Sequence, residues 1–120
     1  MPTSLNVKGE EPMVALGRED VLRALKRCQC LAKQDLVLCN YLKDSKYWRD
    51  CALARYALYR WLYEQVQTNG VNQTYLLASQ RYADLPLFTS NVQERGEREA
   101  LEVFFQVIEG ERPIRAKVKA

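Results

Sequence analysis

From Lys46 to Gln67 the chain reads KYWRDCALARYALYRWLYEQVQ, with no glycine or proline inside. This stretch carries both tryptophans, four of the seven tyrosines and three arginines. On a helix turning about 100° per residue, Trp48, Cys51, Ala52, Tyr59, Leu62, Tyr63 and Val66 share one face. Tyr47, Ala54, Leu58 and Trp61 widen that face, and Arg49, Asp50, Arg60, Glu64 and Gln67 crowd into the remaining arc. An apolar sector so wide belongs to a helix with neighbours on more than one side. The expected fold is all-α: a small bundle of about four helices around a long central aromatic helix, 46–67.

A chain of 120 residues fits one domain and can bury a core without disulfides or metal. The pattern divides it into an extended or disordered arm at 1–16, a single helical domain at 17–111 and a basic tail at 112–120. No apolar run approaches the roughly 18–20 residues that a membrane span needs. The opening MPTSLNVKGEEPM lacks the basic start and apolar centre of a secretory signal. It also holds too many acids and too few arginines for a mitochondrial transit peptide. An intracellular, cytoplasmic setting with reduced thiols is the expectation.

The first helix is predicted after Gly17, with Glu19 and Asp20 in its first turn, where the helix dipole favours anions. Val21, Leu25, Cys28, Ala32, Leu36 and Cys39 form its stripe, with Ala24, Leu31 and Leu42 beside it. That pattern holds to about Leu42, with Gln34–Asp35 as a place for a kink. Lys43-Asp44-Ser45 then makes a tight link with Asp44 or Ser45 as N-cap, which implies an antiparallel hairpin. Gly70 should end the central helix in the left-handed conformation. Asn72 is placed to cap a third helix, which runs to about Ala83 and stops at Asp84-Leu85-Pro86. Ser90 and Gln93 form a capping-box pattern, and Ala100, Val103, Phe104, Val107 and Ile108 mark a last helix at about Glu97–Glu109. Gly110 and Pro113 should end it.

Four cysteines and no histidine raise the question of an all-thiolate zinc site. The spacing argues against one. Cys28 and Cys30 lie within a helical pattern and project about 160° apart. Cys28, Cys39 and Cys51 fall on core-facing stripes, where a free cysteine behaves as a small hydrophobe. Cys39 and Cys51 stand six residues either side of Ser45, so the hairpin can bring them near each other. A disulfide there is disfavoured inside the cell. The cysteine-clamped helical hairpins of the mitochondrial intermembrane space need two matched pairs, and Cys28 and Cys30 have no counterpart near 60–62.

Arg55 is the unusual placement, because it sits within the apolar face. Three readings stand: it snorkels past the rings to the domain's edge, it pairs with an acid such as Asp35, or it contacts an anion between helices. Leu58-Tyr59-Arg60 also spells the tripeptide of the mitochondrial LYR-motif family, small helical proteins that bind assembly or respiratory partners. In that family the tripeptide opens the first helix, whereas here a whole helix precedes it, so no membership is assigned.

The charges are segregated along the chain. Residues 18–60 hold ten cations against five acids, residues 61–111 three against eight, and the last nine residues four cations and no acid. Histidine is absent, and there is no Gly-rich phosphate loop or nucleophile elbow, so catalysis is not expected. Nor is a cofactor or a metal. The acids of the last helix, Glu99 among them, read as solvated or dipole-facing charges.

The function expected is a non-catalytic helical adaptor, a regulatory or assembly subunit docking onto a larger protein or onto its own copies. Tyr47, Arg49, Arg55, Tyr56, Arg60 and Trp61 are the candidate contacts, since aromatic and arginine side chains anchor interfaces. The alternative is nucleic-acid binding through Lys43, Lys46, Arg49 and Arg60 together with Arg112, Arg115, Lys117 and Lys119 in the tail.

Overall fold

The computed structural model of the chain describes residues 17–109. They form helix α1 (Arg18–Leu38), one 3-10 turn (Cys39–Tyr41), α2 (Ser45–Asn69), α3 (Val71–Asp84) and α4 (Val92–Glu109). No strand occurs among the described residues. The predicted arm 1–16, the stop at Gly110 and Pro113, and the tail 112–120 lie outside them.

α1 starts where Gly17 accepts the Val21 N–H at 3.1 Å, and it runs unbroken through Gln34 and Asp35. Val21, Leu25, Cys28 and Ala32 are buried as the stripe predicts, and Leu22 and Gln29 join them. Leu31 and Leu42, expected beside the stripe, are instead about half exposed. The helix tightens to 3-10 over Cys39–Tyr41, and α2 begins at Ser45 after three connecting residues. Asp44 flanks α2 without a side-chain cap; its carbonyl takes the Trp48 N–H.

Gly70 has φ +88° and ψ 172°, an extended conformation with positive φ, where the sequence implied the left-handed helical one. The chain therefore re-enters a helix at once. α3 opens at Val71, so Asn72 is already its second residue and caps nothing. Thr74, fully buried, donates its hydroxyl to the Gly70 carbonyl at 2.7 Å.

α4 begins five residues before the predicted Glu97. Asn91, one place after Ser90, makes the cap: its Oδ1 accepts the Glu94 N–H at 3.0 Å. The Glu94 carboxylate in turn accepts the Thr89 hydroxyl at 2.7 Å. Asn91 thus takes the cap that the Ser-x-x-Gln pattern assigned to Ser90, its own N–H going to the Thr89 hydroxyl, and Glu94 sits in the first turn, where the dipole favours an acid. Gly96 lies buried inside α4. A Cβ there would stand 2.5 Å from the Cys51 carbonyl oxygen and 2.7 Å from the Ala54 Cβ. Glycine is what lets α4 press against the backbone of α2.

Side-chain contacts give the topology. Lys26 meets Tyr63 and Lys33 meets Tyr56, so α1 and α2 are antiparallel. Arg95 meets Tyr47 and Glu99 meets Arg55, so α4 runs parallel to α2. α3 makes the return between them, and its Tyr75 and Tyr82 set their rings edge-on to Phe105. The core joins Val21, Leu25, Leu58, Leu62, Val66, Leu101, Phe104, Phe105 and Ile108, all essentially inaccessible. Each such large side chain contributes about 1.5–3 kcal/mol of burial. The α1–α2 turn and the start of α4 lie at the same end of the bundle.

Candidate interaction surface

Arg55 joins three helices. One guanidinium nitrogen donates to Asp35 on α1 at 2.9 Å; the other donates to Glu99 on α4 at 3.1 Å and to the Cys51 sulfur at 3.4 Å. Its side chain is 18% exposed, against 48% for Asp35 and 36% for Glu99. Burial disfavours the charge on Arg55, but Cys51, Glu99 and Asp35 outweigh that and hold its pKa above the ordinary value. The Cys51 thiol is pushed up by burial and then by Glu99, with Arg55 opposing. Arg55 is thus a paired group rather than a snorkelling one. Glu99, expected only as a solvated charge, is the acid that bridges Arg55 to Arg95, which it meets at 3.2 Å. Its position four residues after Arg95 was the available signal.

The six predicted partner contacts fall into three places. Arg49, Tyr56 and Arg60 line the α2 flank that borders α1, with Lys33 over the Tyr56 ring. Tyr47 and Trp61 lie on the opposite flank, Tyr47 accepting from Arg95 and Trp61 lying beneath Arg81. Arg55 is between helices. Of the predicted nucleic-acid contacts, Lys43, Lys46, Arg49 and Arg60 are exposed. Lys46 pairs with Asp50 at 2.9 Å, and Arg60 stands 3.8 Å from Glu64. Arg112, Arg115, Lys117 and Lys119 lie outside the described residues.

The apolar surface concentrates where the sequence did not place it. Val37, Leu38, Tyr41 and Leu42 at the hairpin turn are half to mostly exposed, Tyr41 by 82%. Trp48, expected in the core-facing stripe, is 37% exposed. It lies in the first turn of α2, where Arg49 reaches Asn40 of the 3-10 turn, so no α-helical residue of α1 covers it. In the α3–α4 loop, Leu87 and Phe88 are exposed, Phe88 by 88%, beside a shallow depression that Arg95 also lines. The same Arg95 guanidinium lies 5.9 Å from the Trp48 ring centre. Arg95 therefore stands between two groups of uncovered apolar side chains at one end of the bundle.

Cys28 and Cys51 are buried with Cys39, while Cys30 is exposed, and all four are free. No group of three or more His, Cys, Asp or Glu among the described residues could hold a metal ion. Leu58 and Tyr59 of the LYR tripeptide are core residues. No described helix is long and apolar enough to cross a membrane.

The described residues define a small all-α unit of four helices with a closed core and an apolar end. No family model, curated protein or solved structure matches the chain.

Proposed function

We infer that this protein is a non-catalytic helical adaptor, a regulatory or assembly subunit that docks the turn end of its bundle onto a larger protein. The observation that carries the reading is the pair of uncovered apolar groups, Leu38, Tyr41 and Leu42 with Trp48, and Leu87 with Phe88, standing either side of Arg95. Contiguous exposed apolar surface marks interaction sites, and aromatic and arginine side chains supply most of the anchoring energy in them. The internal polar groups support the same reading, since Arg55 is engaged by both Asp35 and Glu99.

Capture from the native extract tests it. Wild-type protein should retain a defined partner in a manner that changes little between low and high salt. The variants Tyr41→Ser and Phe88→Ser should lose that partner while melting at the wild-type temperature. Equal retention by both variants overturns the assignment of this end, and a concentration-dependent dimer with no other partner makes the docked protein a second copy.

A further inference from the structure

The cations divide into two populations. On α3 and α4 every arginine is matched with a carboxylate: Arg81 with Glu97, Arg95 with Glu99 and Arg98 with Glu102. On α1, the turn and the start of α2, Lys26, Arg27, Lys33, Lys43 and Arg49 have no ion-pair partner among the described residues.

Several of these uncompensated charges lie along one line, the seam between α1 and α2. Lys26 and Lys33 are seven residues apart on α1, and Tyr56 and Tyr63 are seven apart on α2. The antiparallel packing sets each ammonium over a ring, Lys26 5.0 Å from the centre of Tyr63 and Lys33 5.6 Å from that of Tyr56. Arg49, Tyr56, Arg60 and Tyr63 follow at intervals of seven, four and three, so they share a face of α2. From Arg49 to Tyr63 the strip is about 21 Å long. Two exposed acids border it, Glu19 beside Lys26 and Glu64 beside Arg60.

We propose that this seam binds single-stranded nucleic acid, with Lys26, Lys33, Arg49 and Arg60 on the phosphates and bases stacked on Tyr56 and Tyr63. Three of these four cations, Lys26, Lys33 and Arg49, have no carboxylate partner among the described residues, and Arg60 has only Glu64 at 3.8 Å; such an excess of positive charge along one line calls for a polyanion. Half-buried rings spaced between the cations add what a flexible single strand offers and an acidic polypeptide does not, a flat base for each ring. The lysines cover the rings in the free protein; on binding, each ammonium moves to a phosphate and leaves the ring face to a base. Arg49 alone of the site reaches the turn end, through Asn40; Lys26, Lys33, Tyr56 and Tyr63 lie along the helices away from it, so their variants test the seam apart from protein docking at the apolar end.

Fluorescence anisotropy of the full chain with labelled dT12 tests it, beside a 12-base-pair duplex and polyglutamate. Binding to dT12 should weaken log-linearly with salt, with a slope near −3 for about four phosphate contacts at ~0.7 each. Lys26→Glu with Lys33→Glu should weaken it by more than about tenfold, and Tyr56→Leu with Tyr63→Leu by roughly tenfold, whereas Tyr→Phe at both sites retains it. Glu64→Gln should tighten binding two- to threefold (~0.4–0.7 kcal/mol by the usual conversion), a gain that misfolding does not produce. No binding to dT12 at low ionic strength overturns the proposal. So does binding indifferent to the lysine reversals, which would place it elsewhere on the chain. Equal or tighter binding of duplex or polyglutamate, or indifference to Tyr→Leu, removes the stacked single strand.

Discussion

Arg55 and Asp35 stand twenty positions apart in the chain and meet at 2.9 Å between α2 and α1. The same guanidinium holds Glu99 of α4, so one side chain ties together the three helices that form most of the core. Replacing Arg55 with Met would leave two carboxylates facing each other across an apolar side chain. A fully buried pair broken this way costs about 3–5 kcal/mol, but the acids here are partly solvated, so a loss of about 1–3 kcal/mol is expected. Denaturant titration reads it directly. A double-mutant cycle with Asp35→Asn should show coupling of at least ~0.5 kcal/mol, and additive losses would mean the contact is not formed in solution.

Gly96 supplies a second expectation, of opposite sign to helix propensity. In an exposed helix, Gly→Ala stabilises by roughly 1 kcal/mol. Here the new methyl would press on the Cys51 carbonyl and the Ala54 side chain at 2.5 and 2.7 Å. Backbone cannot yield as a flexible side chain does, so Gly96→Ala should destabilise by about 1–3 kcal/mol. A thermal melt unchanged or raised would show that α4 does not approach α2 this closely. Gly70→Ala should also destabilise, through its φ of +88° rather than through contact, since no atom lies within 4 Å of the added Cβ.

The thiols should separate by kinetics. Cys30 is exposed, while Cys28, Cys39 and Cys51 are buried, and burial raises the pKa of Cys28 and Cys51, with Arg27 partly offsetting it at Cys28. Only thiolate reacts with alkylating reagents and disulfides. At pH 8 the native protein should show one fast thiol per chain, and the full four only in denaturant. Cys30→Ser should abolish the fast phase; a second fast thiol would mean that α1 or the hairpin turn opens readily.

Periodicity made the interior of the helices legible. The α1 stripe through Val21, Leu25, Cys28 and Ala32, and the α2 stripe through Cys51, Leu58, Leu62 and Val66, are buried as their spacing implies. What a helical wheel does not record is which neighbour stands at a given height. Trp48 belongs to the core-facing stripe, but at its height the α-helical part of α1 has ended. Gly96 reads as a helix breaker until the α2 backbone beside it is known, because tertiary contact overrides local propensity. Glu99 looked solvated for a similar reason, its partner Arg55 being on another helix. Phe88 lies in a loop, where no period exists to carry a signal. Asp35 was foreseeable, since an acid inside an apolar sector needs a cation.

Alkaline pH should weaken the fold well before it discharges Arg55, whose pKa is held above its ordinary value. Cys28 and Cys51 have folded pKa values above their unfolded 9.0. Tyr59 lies above its unfolded 10.0, chiefly through burial, with Cys28, Glu99 and Asp35 adding and Arg55 opposing. Above these unfolded values the denatured chain releases protons that the native chain keeps, so the native state binds more of them and stability falls as pH rises. The contribution is whole below pH 9 and is lost progressively as pH climbs from 9 toward the raised folded values. Denaturant midpoints measured from pH 7 to 11 should therefore decline from about pH 9 and steepen past 10. Tyr59→Phe should remove the steeper part and leave the thiol part in place. A midpoint flat to pH 11 would mean that Cys28, Cys51 and Tyr59 are not held in a dry core.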